Sequence, residues 1–238
     1  MRNWLATGQQ AWRRWLAGLV QPCYLCGAES PQAICPACVA SLPRPGQICI
    51  SCATALPAAG LLCGECLRSP PAFDFVKPAF AYRYPVNHLI AAAKYQAQLA
   101  VLDLLGQLMH AALPVTAPPP DALIPVPMYS ADLRKRGYNQ ALELAKRLGR
   151  ARGIPVDAEQ VCRCVRPKRP QASLSGKLER QRNVRGLFAV DKLPPRWRRV
   201  VIVDDVLTTG ATAHALASVL RQAGVEHIGV WCCARRNS

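Results

Sequence analysis

Residues 200–212 read VVIVDDVLTTGAT, and their order decides the fold. Four consecutive β-branched residues, Val200, Val201, Ile202 and Val203, predict a buried parallel strand. Asp204 and Asp205 follow at its carboxyl end, then a Thr-Thr-Gly-Ala-Thr turn. Beyond the turn, Ala213, Ala215, Leu216, Ala217, Val219 and Leu220 have helical spacing. A strand, a small-residue turn and a helix start make an anion cradle, because the turn's N–H groups and the helix dipole converge on one place. Thr208, Thr209 and Thr212 add hydroxyl donors, and Gly210 lets the backbone approach closely. The two acids repel a phosphate, so their place is on neighbouring hydroxyls. A sugar 5-phosphate fits both halves, with its phosphate in the turn and its ribose diol on the acids. The plainer alternative is an ordinary βα unit with solvated acids.

The same run closely resembles, along its whole length, the phosphoribosyl-pyrophosphate (PRPP) loop of the type I phosphoribosyltransferases. That resemblance implies an α/β fold with a type I phosphoribosyltransferase-like parallel sheet. It also implies a PRPP-binding set made of Asp204, Asp205, Val206, Leu207, Thr208, Thr209, Gly210, Ala211 and Thr212.

A chain of 238 residues, 51% of them apolar, has room for one small module and one α/β domain. No run of about 18 uncharged apolar residues exists, and the first residues lack a secretory apolar block. A cytoplasmic location is expected, with association at the inner face of the cytoplasmic membrane as a variant of it. Net charge is +16, and residues 133–199 alone hold 19 Lys/Arg against 5 Asp/Glu. Such a concentrated excess suits phosphate-rich partners, a diphosphate, a nucleic acid such as single-stranded DNA, or both, and charge alone does not separate them. The nucleic-acid candidates are Arg180, Arg182, Arg185, Arg196, Arg198 and Arg199, while Tyr138, Phe188 and Trp197 are candidates either to stack on bases or to be core.

Four Cys-x-x-Cys pairs occupy the first third of the chain: Cys23/Cys26, Cys35/Cys38, Cys49/Cys52 and Cys63/Cys66. Each pair can present two thiolates to one metal, and two pairs complete a closed four-cysteine zinc site of structural type. A disulfide framework is the rival, disfavoured without a secretory signal. Consecutive and cross-braced pairing both remain open. Gly27 and Gly64 fit the tight backbone of a knuckle. Cys162, Cys164, Cys232 and Cys233 read instead as small buried hydrophobes.

The organisation expected is an amphipathic helix over 1–22, a double zinc-ribbon module over 23–68, a proline-marked connection over 69–78 and an α/β domain over 79–238. Within the last, helical pattern runs over 88–112 and over 133–152 after its first turn, ALIPVPM (122–128) reads as a strand entering a loop, and 166–185 reads as a mobile loop.

With these parts in view, the chain resembles the ComF/GntX family of competence-associated proteins, a zinc module joined to a phosphoribosyltransferase-like domain. The residues that carry the resemblance are the CxxC series, Leu-Cys-Gly-Glu-Cys-Leu (62–67), Pro-Ala-Phe-Asp (71–74) and Lys94-Tyr95. Ile-Pro-Val-Pro (124–127), Arg-Lys-Arg-Gly-Tyr-Asn-Gln (134–140), Gln171-Ala172-Ser173-Leu174, Glu179-Arg180, Asn183 and the PRPP loop complete it. The resemblance implies an accessory role in DNA uptake and natural transformation, or in use of DNA as a nutrient, with DNA-uptake and recombination proteins as partners. It implies PRPP or a nucleotide as ligand, with Mg²⁺ accompanying PRPP. If transfer chemistry persists, Asp204 and Asp205 hold the ribose hydroxyls, directly or through Mg²⁺-bound water. Arg134 and Arg136 then sit where the leaving pyrophosphate needs positive charge. An active phosphoribosyltransferase and a zinc-dependent protein adaptor are the alternative functions.

Overall fold

The computed structural model describes residues 20–58, 61–95, 98–115, 118–158, 162–165 and 186–236. The expected N-terminal helix, the loop 166–185, and with it Arg180, Arg182 and Arg185, lie outside them. Two compact units divide the chain, one ending at Leu42 and the other beginning at Pro43.

The first unit pairs β1 (Gln21–Pro22) with β2 (Glu29–Ser30) in an antiparallel ribbon, followed by the short helix α1 (Pro36–Ala40). In the second unit, helix α2 (Gly64–Arg68) precedes a sheet of four parallel strands. These are β3 (Phe75–Ala81), β4 (Ala122–Pro125), β7 (Arg199–Leu207) and β8 (His227–Arg235), in the spatial order β3-β8-β7-β4. A separate two-stranded antiparallel sheet pairs β5 (Cys162–Cys164) with β6 (Phe188–Val190).

Both faces of the sheet are covered, which is why its strands read as unbroken apolar runs. On one face Ile202, Ile228, Val230 and Cys232 pack with Ala213, Leu216, Ala217 and Leu220 of α7 (Ala211–Gln222). The alternate residues Val201, Val203, Trp231 and Cys233 are equally buried on the other face. There α4 (Leu99–Ala112) and α6 (Gln140–Arg152) pack together, and the Arg152 guanidinium stacks 4.8 Å over the Trp231 ring. Arg152 also donates to the carbonyls of Leu113 and Pro114, closing the carboxyl end of α4.

Three sequence expectations are revised. The first strand begins at Phe75, inside the stretch read as a connection, because it is the sheet's edge and an edge strand tolerates Pro78. The helical stretch 88–112 is two helices, α3 (Val86–Tyr95) and α4. The pattern over 133–152 likewise divides into α5 (Ser130–Arg136) and α6, because Gly137 takes φ 85° and Asn139 starts a new helix by accepting from the Ala141 and Leu142 N–H groups. Trp197 and Phe188 are core residues, 7% and 5% exposed, so neither is available to stack on a base. Cys162, Cys232 and Cys233 are buried as expected. Among the described residues no helix is long and apolar enough to cross a membrane.

Candidate phosphate site and metal centres

The Asp-Asp-Thr-Thr-Gly loop is built at the carboxyl end of β7. That strand runs on through both acids to Leu207, further than its β-branched run predicts, because β8 keeps pairing with it to Leu207↔Arg235. On the opposite flank β4 stops at Pro125↔Val203, with one last bond from the Val126 N–H to the Val203 carbonyl. From Asp204 onward β7 pairs with β8 alone of the two neighbouring strands, and the acids stand in the last residues of the strand before the loop. Ligands of α/β folds bind at the carboxyl ends of the strands.

Asp205 is held on both oxygens. Its Oδ1 accepts the Val206 N–H at 2.6 Å, and its Oδ2 pairs with Lys94 Nζ at 2.8 Å. Asp204 Oδ1 accepts the Asp205 N–H at 2.9 Å. Thr209 is exposed, Thr208 and Gly210 are half-buried, and Thr209 Oγ1 accepts the Ala211 N–H. Gly210 takes φ 78°, a conformation that side chains resist, and directly precedes α7. The loop and the first turn of α7 thus follow directly on the strand that carries the acids.

Two further segments converge there. Tyr138 donates its hydroxyl to the Ala93 carbonyl, next to Lys94, and Asn139 Nδ2 donates to the Val126 carbonyl at 3.1 Å. The Gly-Tyr-Asn run therefore holds both the lysine-bearing helix and the Pro125–Pro127 turn. The exposed Arg134 and Arg136 lie on α5, which follows that turn off the carboxyl end of β4; Arg136 also donates to Gln140 Oε1. Pro-Ala-Phe-Asp supports the loop from behind. His214 Nδ1 accepts the Ala72 N–H, Arg221 binds the Ala72 carbonyl and Asp74, and the Phe73 ring lies beneath Gly210. Burial holds His214 below the usual imidazole range, which favours the neutral form this acceptor role requires. Sequence reading gave these supports no role, since their partners lie up to 149 residues away.

Arg196, Arg198 and Arg199 sit at the other end of β7, roughly 17 Å along the strand from Asp204. Asp121 Oδ2 accepts the Arg198 and Arg199 N–H groups, and the Arg198 side chain pairs with Glu226. Arg196 and Arg199 remain exposed.

The eight cysteines gather as two consecutive sets, Cys23, Cys26, Cys35 and Cys38 in the first unit and Cys49, Cys52, Cys63 and Cys66 in the second, each with its sulfurs within 4.8 Å of one another. Zinc held tetrahedrally at about 2.3 Å from each sulfur separates neighbouring sulfurs by about 3.8 Å. The Cys26–Cys35 and Cys52–Cys63 separations are 3.8 and 3.7 Å, so the donor sets fit that ion. The Cys35 N–H donates to Cys23 Sγ and holds that thiol down to about 6. Burial raises Cys49, but backbone donors from Cys52 and Cys63 outweigh it and bring the thiol to about 7. Cys38 is pushed up to about 12 by the side chains of Cys26 and Cys35. Four thiolates repel one another until a cation joins them, and each set can hold a zinc ion in a closed, structural manner.

The two sets are one design used twice. In each, the first cysteine closes a knuckle (Gly27 N–H to the Cys23 carbonyl, Ala53 N–H to the Cys49 carbonyl), and the third opens a short helix, α1 or α2. The residue after the second cysteine is left-handed in both, Gly27 at φ 75° and Ala53 at φ 56°. Gly64 opens α2 without a positive φ, so its expected knuckle role passes to Ala53. Ala53 is fully buried in the core of the α/β unit. Ala53→Val is expected to destabilise the protein by about 3 kcal/mol, since a β-branched residue is strained at positive φ and overfills the core. Denaturant unfolding checks this, with Ala53→Gly expected to stay within about 1 kcal/mol of the parent.

A parallel sheet that places an Asp-Asp-Thr-Thr-Gly loop in its carboxyl-end crevice defines a phosphoribosyltransferase-type domain, here joined to two four-cysteine centres. Residues 165–238 match the family model described as phosphoribosyl transferase domain. The chain is 37% identical over 161 residues to competence protein F of Haemophilus influenzae, covering 65% of this chain and 69% of that protein. It is 33% identical over 171 residues to the DNA utilization protein YhgH of Shigella flexneri, covering 70% and 74%. A shorter stretch of 53 residues is 45% identical to a hypoxanthine/guanine phosphoribosyltransferase of Methanosphaerula palustris, covering 22% and 25%. The chain belongs to the ComF/GntX family of competence-associated proteins.

Proposed function

We propose that this protein is an accessory factor of DNA uptake or DNA utilisation whose α/β domain binds PRPP or a nucleoside 5′-phosphate. What supports the ligand is the succession, toward the carboxyl end of one parallel strand, of two carboxylates, a Thr-Thr-Gly loop with Gly210 left-handed, and a helix start. In that ligand's complex, Thr208, Thr209, Gly210 and Thr212 hold the 5-phosphate, and Asp204 and Asp205 hold the ribose hydroxyls. Lys94, paired with Asp205 at 2.8 Å, fixes the place of that carboxylate. Mg²⁺, which supplies charge neutralisation for the diphosphate, would be held from the same acids. Arg134 and Arg136, on the helix beside the crevice, face the pyrophosphate. This arrangement also supports a second reading, glycosyl transfer with pyrophosphate as leaving group, tested by pyrophosphate release in the presence of nucleobases. Zinc in both cysteine sets completes the protein. The names of the relatives, competence protein F and DNA utilization protein, support the cellular role.

Calorimetry with PRPP and Mg²⁺ on the purified protein is expected to give saturable one-site binding. Flat titrations with PRPP and with nucleoside monophosphates overturn the ligand. For single-stranded DNA, affinity is expected to fall by about 0.7 logarithmic units per phosphate contact per tenfold increase in salt. Neutralising Arg196 and Arg199 should flatten that slope without changing PRPP binding, because they stand at the opposite end of β7. An unchanged slope moves the DNA site elsewhere.

A further inference from the structure

The second cysteine set lies one side chain away from the phosphate loop, and that side chain is Arg235. It is buried, 7% exposed, at the last position of β8. Its Nε donates to the Cys52 carbonyl at 3.1 Å and its Nη2 to Thr54 Oγ1 at 3.0 Å. On the other side Nη1 donates to the Leu207 carbonyl at 3.1 Å. Leu207 is the last residue of β7, directly before Thr208-Thr209-Gly210, and its carbonyl also takes the Arg236 N–H at 3.0 Å. One buried guanidinium therefore ties a metal-ligand knuckle to the hinge of the loop.

Thr54 makes this link sensitive to the metal. Its Oγ1 lies 3.2 Å from Cys52 Sγ while accepting from Arg235. Both groups that Arg235 meets on this side, the Cys52 carbonyl and Thr54 Oγ1, belong to the knuckle of the second set, so closing that knuckle around zinc fixes them in place. Arg235 in turn lies against a metal site that keeps net negative charge, which favours a buried cation. Ala53, between the two ligand-side contacts, adds a packing link, since it shares one core with Leu207, Phe73 and Ala213.

The geometry points to Arg235 as a positioning residue that couples metal occupancy at Cys49, Cys52, Cys63 and Cys66 to the shape of the phosphate loop. The second metal centre thereby regulates ligand binding at the loop. The ligand half of this inference rests on the PRPP reading above; the coupling itself does not. Coupling is reciprocal, so a ligand in the crevice must tighten zinc in the second set by the same factor.

The test uses the full zinc-loaded chain and compares it with Arg235→Met, Arg235→Lys and the surface control Arg163→Met. Amide exchange over 207–213, zinc loss to a chelator, and affinity for PRPP with Mg²⁺ are read on each. In Arg235→Met, loop exchange should rise and PRPP affinity fall by about tenfold, with one of the two zinc ions lost more readily. Arg235→Lys should recover part of each effect, and Arg163→Met should match the parent. In the parent, PRPP should slow the loss of one zinc ion and leave the other unaffected. Loop exchange and zinc retention in Arg235→Met equal to the parent's overturn the coupling. If that variant does not fold, Thr54→Val, together with stepwise zinc removal from the parent, decides the matter. Loop exchange that ignores both also overturns it. A parent that fails to bind PRPP while its loop exchange still follows zinc sinks the ligand reading and leaves the coupling standing.

Discussion

Protein purified without chelator is expected to carry two zinc ions per chain, one for each cysteine set. Each closed site of four thiolates holds its metal with a free energy on the order of 10 kcal/mol, most of which is folding free energy of the residues around it. Stripping both ions is therefore the largest perturbation this fold can meet short of denaturant. Its consequences should differ between the two sets. Loss of the first removes the centre around which residues 23–38 are wrapped. Loss of the second also reaches the α/β unit, because Ala53 belongs to that unit's core and Arg235 bonds to Cys52 and Thr54. Chelation should accordingly lower the melting temperature of the larger unit as well as release the smaller one. Acid should do the same. Thiols must be deprotonated to bind metal, so affinity falls as pH drops. Elemental analysis across a pH series, beside calorimetric melting, measures both effects. A metal-free protein with disulfides detected by mass spectrometry overturns the zinc centres.

Changing both Asp204 and Asp205 to Ala is expected to lower PRPP affinity at least a hundredfold. Hydrogen bonds to a charged group contribute about 1.5–3 kcal/mol each when lost, and two carboxylates facing a ribose diol lose at least two. The stability cost should stay near 1 kcal/mol. The acids stand at an open strand edge, and the pair that Asp205 forms with Lys94 is partly solvated. That separation of effects is the diagnostic, since a structural acid would show the reverse. A double variant that binds PRPP like the parent, with unfolding displaced by several kcal/mol, makes the motif architectural. Lys94→Met adds a check on the same crevice. It leaves Asp205 without its cation and should weaken PRPP binding less than the double change does.

The strand-acid-acid-loop-helix order and the four CxxC pairs determined, without coordinates, the class of fold, the place of the Asp-Asp-Thr-Thr-Gly loop and the two four-cysteine sets that could hold metal. They could do so because each rests on short-range geometry. A β-branched run must be a covered strand, Gly210 must turn where side chains cannot, and two thiols three residues apart must form one knuckle. Sequence spacing left the pairing of the knuckles open, and the tertiary structure made it consecutive. The edge position of β3 admits Pro78, which the sequence reads as a break. Burial moved Trp197 and Phe188 from candidate base platforms to core, a choice that amphipathic aromatic residues leave to packing. Lys94 reached Asp205 across 111 positions, and Arg235 reached Cys52 across 183. No periodicity records contacts of that span. They exist because β8 lies beside β7 in the sheet, so the last residue of one strand meets both the loop that leaves the other and the metal knuckle packed beneath it.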